Sequence, residues 1–128
     1  MTDAAGKPFA DVAAVLQAYF DGLYHSDSKQ LARVFHPLCT YTCATEKPLL
    51  HLNMPDYFAL VDKRPAPAAS KQPRRDKIVA IEFAGPDAAF ARVECLIGQR
   101  FCTDLLTLVR VDGTWSIMAK VFHYDLVS

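Results

Sequence analysis

The C-terminal half of the chain alternates apolar and polar residues with a period of two, the pattern typical of β-strands. Three such runs follow one another, over residues 88–97, 100–111 and 114–124. Gly98 and Gln99 separate the first two runs, and Asp112 and Gly113 separate the last two. Because an Asp-Gly pair between alternating runs is a strong hairpin signal, the pattern predicts an antiparallel meander with two-residue turns.

The N-terminal half repeats apolar residues at helical spacing. The first predicted helix extends to about residue 25, and its apolar positions are Phe9, Val12, Leu16, Tyr19, Phe20 and Leu23. A second, short helix is expected to begin after Asp27, whose carboxylate can cap it, and to end before Pro37. A third helix begins at Pro55, and the other extended segments lie at 39–45, 49–53 and 77–84. Helices first and a sheet afterwards predict an α+β fold.

Length and composition indicate a single domain over residues 1–128. Hydrophobic residues make up 52% of the chain and charged residues 22%, and 14 acidic residues balance 14 basic ones. A sequence pI near 6.9 argues against nucleic acid and anionic membranes as partners. The first residues lack the pattern of a signal peptide, and no apolar run approaches the ~18 residues of a membrane span. We therefore expect a cytoplasmic protein.

The chain has four cysteines, which are Cys39, Cys43, Cys95 and Cys102. Cys39 and Cys43 fall on one predicted strand, where four residues at about 3.3 Å each separate them by ~13 Å. Since bridged cysteines have Cα atoms within ~7 Å of each other, a disulfide between these two is excluded. We expect all four to be reduced and to pack as small apolar residues.

A regular meander determines which side chains share a face of the sheet. One face is predicted to carry Phe90, Arg92, Glu94, Leu96, Thr103, Leu105, Thr107, Val109, Met118, Lys120, Phe122 and Tyr124. On this face Arg92, Glu94 and Lys120 fall close together. They form either a charged patch on a solvent-facing sheet or the polar wall of a mostly aromatic pocket that orients a planar or anionic ligand.

The opposite face is predicted to carry Ala91, Val93, Cys95, Ile97, Cys102, Asp104, Leu106, Leu108, Trp115, Ile117, Ala119, Val121 and His123. Cys95, Cys102 and His123 fall in one row there, next to Asp104, and these residue types can bind zinc. No short ligand motif accompanies them, so packing under a covered sheet face is the favoured interpretation. We expect no metal and no other cofactor.

Residues 63–77 hold six of the 14 basic residues, namely Lys63, Arg64, Lys71, Arg74, Arg75 and Lys77. The favoured interpretation is a solvated loop. The alternative is an interaction surface for an acidic partner, in which case the protein is a binding module for other proteins.

Four short motifs lie along the chain: Tyr19-x-x-Gly22, Asp27 at a helix start, Phe35-His36-Pro37, and the stretch from Trp115 to His123. With these motifs the chain resembles the nuclear transport factor two-like (SnoaL-like) superfamily. It is most similar to the lumazine-binding-protein-like subfamily. The resemblance implies a cone-shaped, curved antiparallel β-sheet wrapped around N-terminal helices, with a pocket on the concave side and a dimer interface on the convex side.

The resemblance to ketosteroid isomerase makes the first face concave. The pocket is then predicted to contain Tyr19, Tyr41, Cys43, Phe90, Arg92, Glu94, Thr107, Met118, Lys120 and Phe122. The second face becomes convex, and a homodimer is predicted to form through Val93, Leu106, Leu108, Trp115 and Ile117.

The same resemblance implies roles for single residues. Tyr19 matches the oxyanion-stabilising tyrosine of the isomerase, whereas Cys43 and Thr107 stand where it has its two aspartates. Because isomerisation needs a carboxylate base and a strong proton donor, that reaction is not expected. The prediction is a domain that binds a small molecule of unknown identity. The enzymatic alternative, a dehydratase, isomerase or cyclase, would use Tyr19 as donor and Glu94 or His36 as base.

Overall fold

The computed structural model describes residues 6–127, so part of the N-terminal segment considered above lies outside it. The helices are α1 (Gly6–Tyr24), α2 (Ser28–Ala32) and α3 (Met54–Lys63), followed by a 3-10 turn at Pro67–Ser70. The strands are β1 (Phe35–Cys43), β2 (Leu50–Leu52), β3 (Asp76–Ala84), β4 (Ala88–Ile97), β5 (Arg100–Val111) and β6 (Thr114–Leu126). Within residues 6–127 no helix has the combination of length and apolar content that crossing a bilayer requires.

The strands form one curved sheet in the order β2-β1-β6-β5-β4-β3. The predicted α+β class is confirmed. The sheet is mixed rather than wholly antiparallel, because β1 pairs in parallel with β6 while the other neighbours are antiparallel. A parallel pair needs a long crossover, and here most of the chain connects the two strands. The sheet stays open, with β2 and β3 as its edges, so the cone does not close into a barrel.

Helix α1 packs its apolar stripe onto the sheet. Five of its six predicted core residues are buried, whereas Phe9 remains 51% exposed in the first turn. Asp27 caps α2 as predicted, because its Oδ1 accepts hydrogen bonds from the backbone N–H groups of Lys29 (3.0 Å) and Gln30 (3.1 Å). The helices therefore cover one face of the sheet and leave the other face outward.

Both predicted hairpin turns have two residues, because Ile97 pairs with Arg100 and Val111 pairs with Thr114. The register between β5 and β6 then shifts by one residue, since Leu108 opposes Ile117 but Thr107 opposes Ala119. This is a β-bulge whose unpaired residue is Met118. Because successive side chains of a strand point to opposite faces, one extra residue exchanges the faces of everything beyond it.

The face prediction is therefore wrong for β4 and β5 and right for the end of β6. The helices cover the face that carries Val93, Leu106, Leu108, Trp115 and Ile117, and all five residues are buried in the core. They cannot form the predicted dimer interface, because helices already occupy their side of the sheet. A homodimer stays a prediction, without these residues as its contact surface.

Helices α1 and α2 approach each other closely at Gly22. A Cβ atom at this position would lie 2.7 Å from Leu31 Cδ2 and 2.8 Å from Leu31 Cγ. Leu31 is fully buried, so it has little room to move.

We expect Gly22→Val to lower the free energy of unfolding by about 1–3 kcal/mol, the usual cost of overpacking a core. Urea denaturation measures this loss. The matched control is Ala14→Val, which places the same side chain on the exposed face of α1. Equal stability of the two variants would contradict the close packing inferred at Gly22.

Candidate functional site

A cavity of about 710 Å³ opens at one end of the sheet, between the end of α3, strands β1 and β2, and the ends of β4, β5 and β6. Its apolar wall includes Tyr41, Leu50, Leu60, Phe122, Tyr124 and Leu126. Its charged wall consists of Glu46, Arg64 and Arg100. A space of this size, mostly apolar with a few polar groups, is typical of small-molecule sites.

A much smaller cavity of about 30 Å³ lies deeper in the fold. Its wall includes Lys120, Cys95 and Cys102. Five residues line both cavities, namely Tyr41, Arg64, Ile97, Arg100 and Phe122. The small cavity is therefore an inner extension of the site, and it has room for a water molecule, which needs about 10–15 Å³.

Arg64 directly follows α3. The hydroxyl of Ser26 holds this helix end, since its Oγ donates to the carbonyl oxygens of Val61 (2.9 Å) and Arg64 (3.5 Å). The Nε and Nη2 atoms of Arg64 are buried, and neither has a hydrogen-bond partner among residues 6–127. Both donors lie on one edge of the planar guanidinium, the edge that can bind the two oxygens of a carboxylate together.

Lys120 is the buried cation of the inner cavity, with only 5% of its surface exposed. Its Nζ lies 3.8 Å from Asp104 Oδ2. Four aromatic rings surround it, with centroids at 4.8 Å (Phe122), 5.1 Å (Tyr41), 5.2 Å (Tyr19) and 5.9 Å (Tyr57). Burial is the largest effect on Lys120 and by itself would lower its pKa, but Asp104 together with Tyr57, Tyr41 and Cys95 outweighs burial and holds the pKa above its usual value. The side chain is therefore an ammonium, stabilised by one carboxylate and by cation–π contacts.

Asp104 lies fully buried behind Lys120. Its Oδ2 accepts a hydrogen bond from the Tyr19 hydroxyl at 2.5 Å and lies 3.8 Å from Cys95 Sγ. Its Oδ1 is buried without a partner among the described residues. Burial, and then the Asp104 charge, raise the pKa of Tyr19 well above its ordinary value. Neither Tyr19 nor Asp104 is among the residues that line the two cavities, and both contact Lys120, Asp104 through its carboxylate and Tyr19 through its ring.

The structure brings part of the predicted pocket together. Tyr41, Cys43 and Phe122 line the large cavity, and Lys120 lines the inner one. Tyr19 lies beside Lys120 in the core. Contact of these residues with a ligand stays a prediction.

The rest of the predicted pocket is not assembled. Phe90, Arg92, Glu94 and Thr107 alternate with buried residues of β4 and β5, so they project from the outward face. Met118 is the unpaired bulge residue. The reason is that the helices cover the opposite face of β4 and β5, and only the bulge returns Lys120 and Phe122 to the covered side.

Two further candidates lie away from the cavities. His36 accepts a hydrogen bond at its Nδ1 from the Leu38 backbone N–H (3.0 Å) at the start of β1. His123 is exposed and opposes Thr103, so the bulge separates it from Cys95 and Cys102. The row proposed as a zinc site is therefore not formed.

The basic segment 63–77 is partly tied to the fold. The Arg74 guanidinium lies 2.8 Å from Asp21 on α1 and 2.8 Å from Asp76 on β3, and it packs over the Tyr24 ring at 4.9 Å. Arg74 thereby fastens the segment to the first helix. An interaction role for the remaining basic residues stays a prediction.

Sequence reasoning missed Arg64 and Arg100 as site residues and placed Asp104 on the wrong side. Nothing in the sequence separates Arg64 from its five basic neighbours, because its burial depends on the end of α3. The sequence did contain an indication for Asp104, because an acidic residue within an apolar strand must be paired with another group when the strand is buried.

The ion pair of Asp104 and Lys120 generates a stability prediction. We expect Lys120→Met and Asp104→Leu each to lose about 3–5 kcal/mol of unfolding free energy, because each leaves one buried group without its partner. The double variant should regain most of this loss, since two apolar side chains of similar volume need no compensation.

Urea denaturation of the four proteins in this cycle measures the coupling. Lys77→Met, at an exposed lysine of β3, is the control for the substitution itself. If the double variant loses as much unfolding free energy as the two single variants together, the pairing of Lys120 with Asp104 is contradicted.

The raised pKa of Tyr41 predicts that the unfolding free energy depends on pH. Burial raises its pKa from 10.0 to about 12, so the folded state holds this proton more tightly than the unfolded state does. The stabilisation is complete below pH 10 and is lost as the pH rises towards 12. We expect the unfolding free energy of the wild type to fall by about 3 kcal/mol more than that of Tyr41→Phe across this window. If the unfolding free energies of wild type and Tyr41→Phe fall in parallel with rising pH, the raised pKa of Tyr41 is contradicted.

Comparisons with known proteins agree with this architecture. Residues 7–123 match the family described as "Putative lumazine-binding". No curated protein matches the sequence. An NTF2-like protein of unknown function from Silicibacter pomeroyi DSS-3 has a TM-score of 0.83 at 23% identity, over 98% of this chain and 100% of that chain.

Two other solved structures share the fold. An NTF2-like protein of unknown function from Shewanella baltica OS155 has a TM-score of 0.84 at 23% identity, over 98% of both chains. A ketosteroid isomerase-like protein from Erwinia carotovora atroseptica SCRI1043 has a TM-score of 0.69 at 12% identity, over 90% of this chain and 94% of that chain. Because the family match spans most of its length, the chain belongs to the "Putative lumazine-binding" family, as its motifs predicted, and it shares the fold of the NTF2-like structures.

Proposed function

We propose that this protein binds a small organic anion with a flat, largely apolar body in the 710 Å³ cavity. One observation carries the proposal: Arg64 lines both cavities, and its Nε and Nη2 donors are buried without hydrogen-bond partners among residues 6–127. A buried donor without an acceptor costs about 1–3 kcal/mol, and more when the group is charged. A ligand carboxylate would remove this cost by accepting both hydrogen bonds.

The charges around the cavity support an anion rather than a cation. Arg100 already pairs with Glu46 at 3.3 Å on the rim, and Lys120 is compensated by Asp104. Arg64 has no acidic partner within the part of the chain that the structure describes. The inner end of the cavity therefore has an uncompensated positive charge, which an anionic ligand would neutralise.

The apolar wall supports a flat ligand body. Tyr41 and Phe122 lie with ring centroids 4.9 Å apart, and Phe122 and Tyr124 are stacked at 6.5 Å, so aromatic surface continues along β6. Such surfaces favour aromatic or conjugated ring systems. The family description mentions lumazine, a flat bicyclic heteroaromatic, and this compound is a natural member of a test panel.

We expect a panel of aromatic carboxylates, such as benzoate, naphthoate and indole carboxylates, with lumazine included, to contain compounds that raise the melting temperature of the wild type. Arg64→Met should weaken binding of these compounds about tenfold or more, because a charge-assisted hydrogen bond contributes roughly 1.5–3 kcal/mol. Isothermal titration calorimetry measures the affinities.

The control is Arg110→Met, which removes a surface arginine that pairs with Asp87 away from the cavity. Primary amides of the same acids should bind more weakly to the wild type, since they lack the anionic group. Arg64→Met without ligand should be at least as stable as the wild type, because it removes a buried unpaired charge. Equal affinity of wild type and Arg64→Met for every compound that binds would contradict the role of Arg64.

A further inference from the structure

Two of the four cysteines oppose each other on neighbouring strands. Cys95 on β4 and Cys102 on β5 form a directly paired position of the antiparallel ladder. Opposed residues in such a ladder have Cα atoms about 4.5–5.5 Å apart, which lies within the ~4.4–6.8 Å range of disulfide-bridged cysteines. The sheet thus holds these two thiols at a separation that a disulfide can span without moving the strands.

The two thiols also share an environment. Both side chains are on the helix-covered face, with 1% of Cys95 and 8% of Cys102 exposed, and both line the inner cavity together with Lys120 and Arg100. This cavity of about 30 Å³ adjoins the large open one. A molecule close to water in size, such as hydrogen peroxide, fits there, whereas a bulky thiol or disulfide does not.

The pair is asymmetric. The neighbouring Cys95 lowers the pKa of Cys102, and the positive charge of Lys120 acts in the same direction against the effect of burial. The neighbouring Cys102 and burial raise the pKa of Cys95. Cys95 Sγ also lies 3.8 Å from Asp104 Oδ2, and Cys102 Sγ lies 3.9 Å from the Arg100 carbonyl oxygen. Cys95 donates its proton to the Asp104 carboxylate and is therefore held protonated, whereas Cys102 is the more exposed of the two thiols and is the one available as a nucleophile.

We propose that Cys95 and Cys102 form a peroxide-reactive dithiol, with Cys102 as the attacking residue and Cys95 as the resolving residue. The Cys102 thiolate attacks one oxygen of hydrogen peroxide, the O–O bond breaks, and hydroxide leaves and takes up a proton, so that a sulfenic acid and water result. The Cys95 sulfur then attacks the Cys102 sulfur, the S–O bond breaks, and the Cys95 proton leaves with the hydroxyl group as water. The two thiols are oxidised to one disulfide, and one peroxide is reduced to two waters.

The other two cysteines provide internal controls. Cys39 and Cys43 lie on β1, about 13 Å apart at the rise of an extended strand, so they cannot bridge each other. Burial raises the pKa of Cys39 to about 12, which makes it a poor nucleophile. Cys43 lines the large cavity and tests whether access alone determines reactivity.

The test treats the folded, reduced protein with an equimolar amount of hydrogen peroxide, then unfolds it in an alkylating agent and maps each cysteine by mass spectrometry. We expect a disulfide between Cys95 and Cys102, while Cys39 and Cys43 are recovered alkylated. Cys39→Ser, at a cysteine that lines neither cavity, should form the same disulfide at the wild-type rate.

Variants test the order of the two steps. Cys95→Ser should accumulate a sulfenic acid on Cys102 that dimedone labels, whereas Cys102→Ser should leave Cys95 unlabelled. The proposal is overturned if Cys95 and Cys102 stay reduced, if Cys39 or Cys43 reacts first, or if the label appears on Cys95 in Cys102→Ser.

Discussion

The bulge at Met118 is the constraint on which the interior of this protein depends. A regular ladder after the Asp112-Gly113 turn would send Lys120 and Phe122 to the outward face. One unpaired residue reverses this, so that Lys120 opposes Leu106 and its ammonium lies 3.8 Å from Asp104. Because successive side chains of a strand point to opposite faces, each β6 side chain beyond the bulge lies either on the covered face or on the outward face. The aromatic cage, the buried ion pair and the cavity wall along β6 all follow from that reversal.

The interior contains charge at two depths, and the two cations differ in how they are compensated. Lys120 is surrounded by protein groups that favour its charged form, and its charge is compensated within the fold by Asp104. Arg64 is held by the end of α3 at the cavity wall with two donors unsatisfied. A protein that only needed stability would do better with an apolar residue there. The contrast between these cations is the reason for proposing the binding site at the cavity rather than in the core.

Most secondary structure could be predicted because it depends on neighbours in sequence. The amphipathic spacing of α1, the Asp27 cap and the two hairpin turns are local features, and the structure reproduces each of them. Tyr41 and Cys43 were also predicted to share a face, since alternation along one strand is local as well. The assignment of faces across the meander was different, because it assumed that pairing stays regular over the whole length of β6.

By itself, therefore, the sequence determined the α+β class, the order of the elements, the tight turns and the family to which the chain belongs. Only the tertiary structure decided which face of β4 and β5 the helices cover, and with it the placement of Arg92 and Glu94 outside and of Asp104 inside. The reason is that both faces of the meander are apolar enough to be covered, so local patterning does not distinguish them. The choice is made by the bulge and by helix packing, which join residues far apart in the chain.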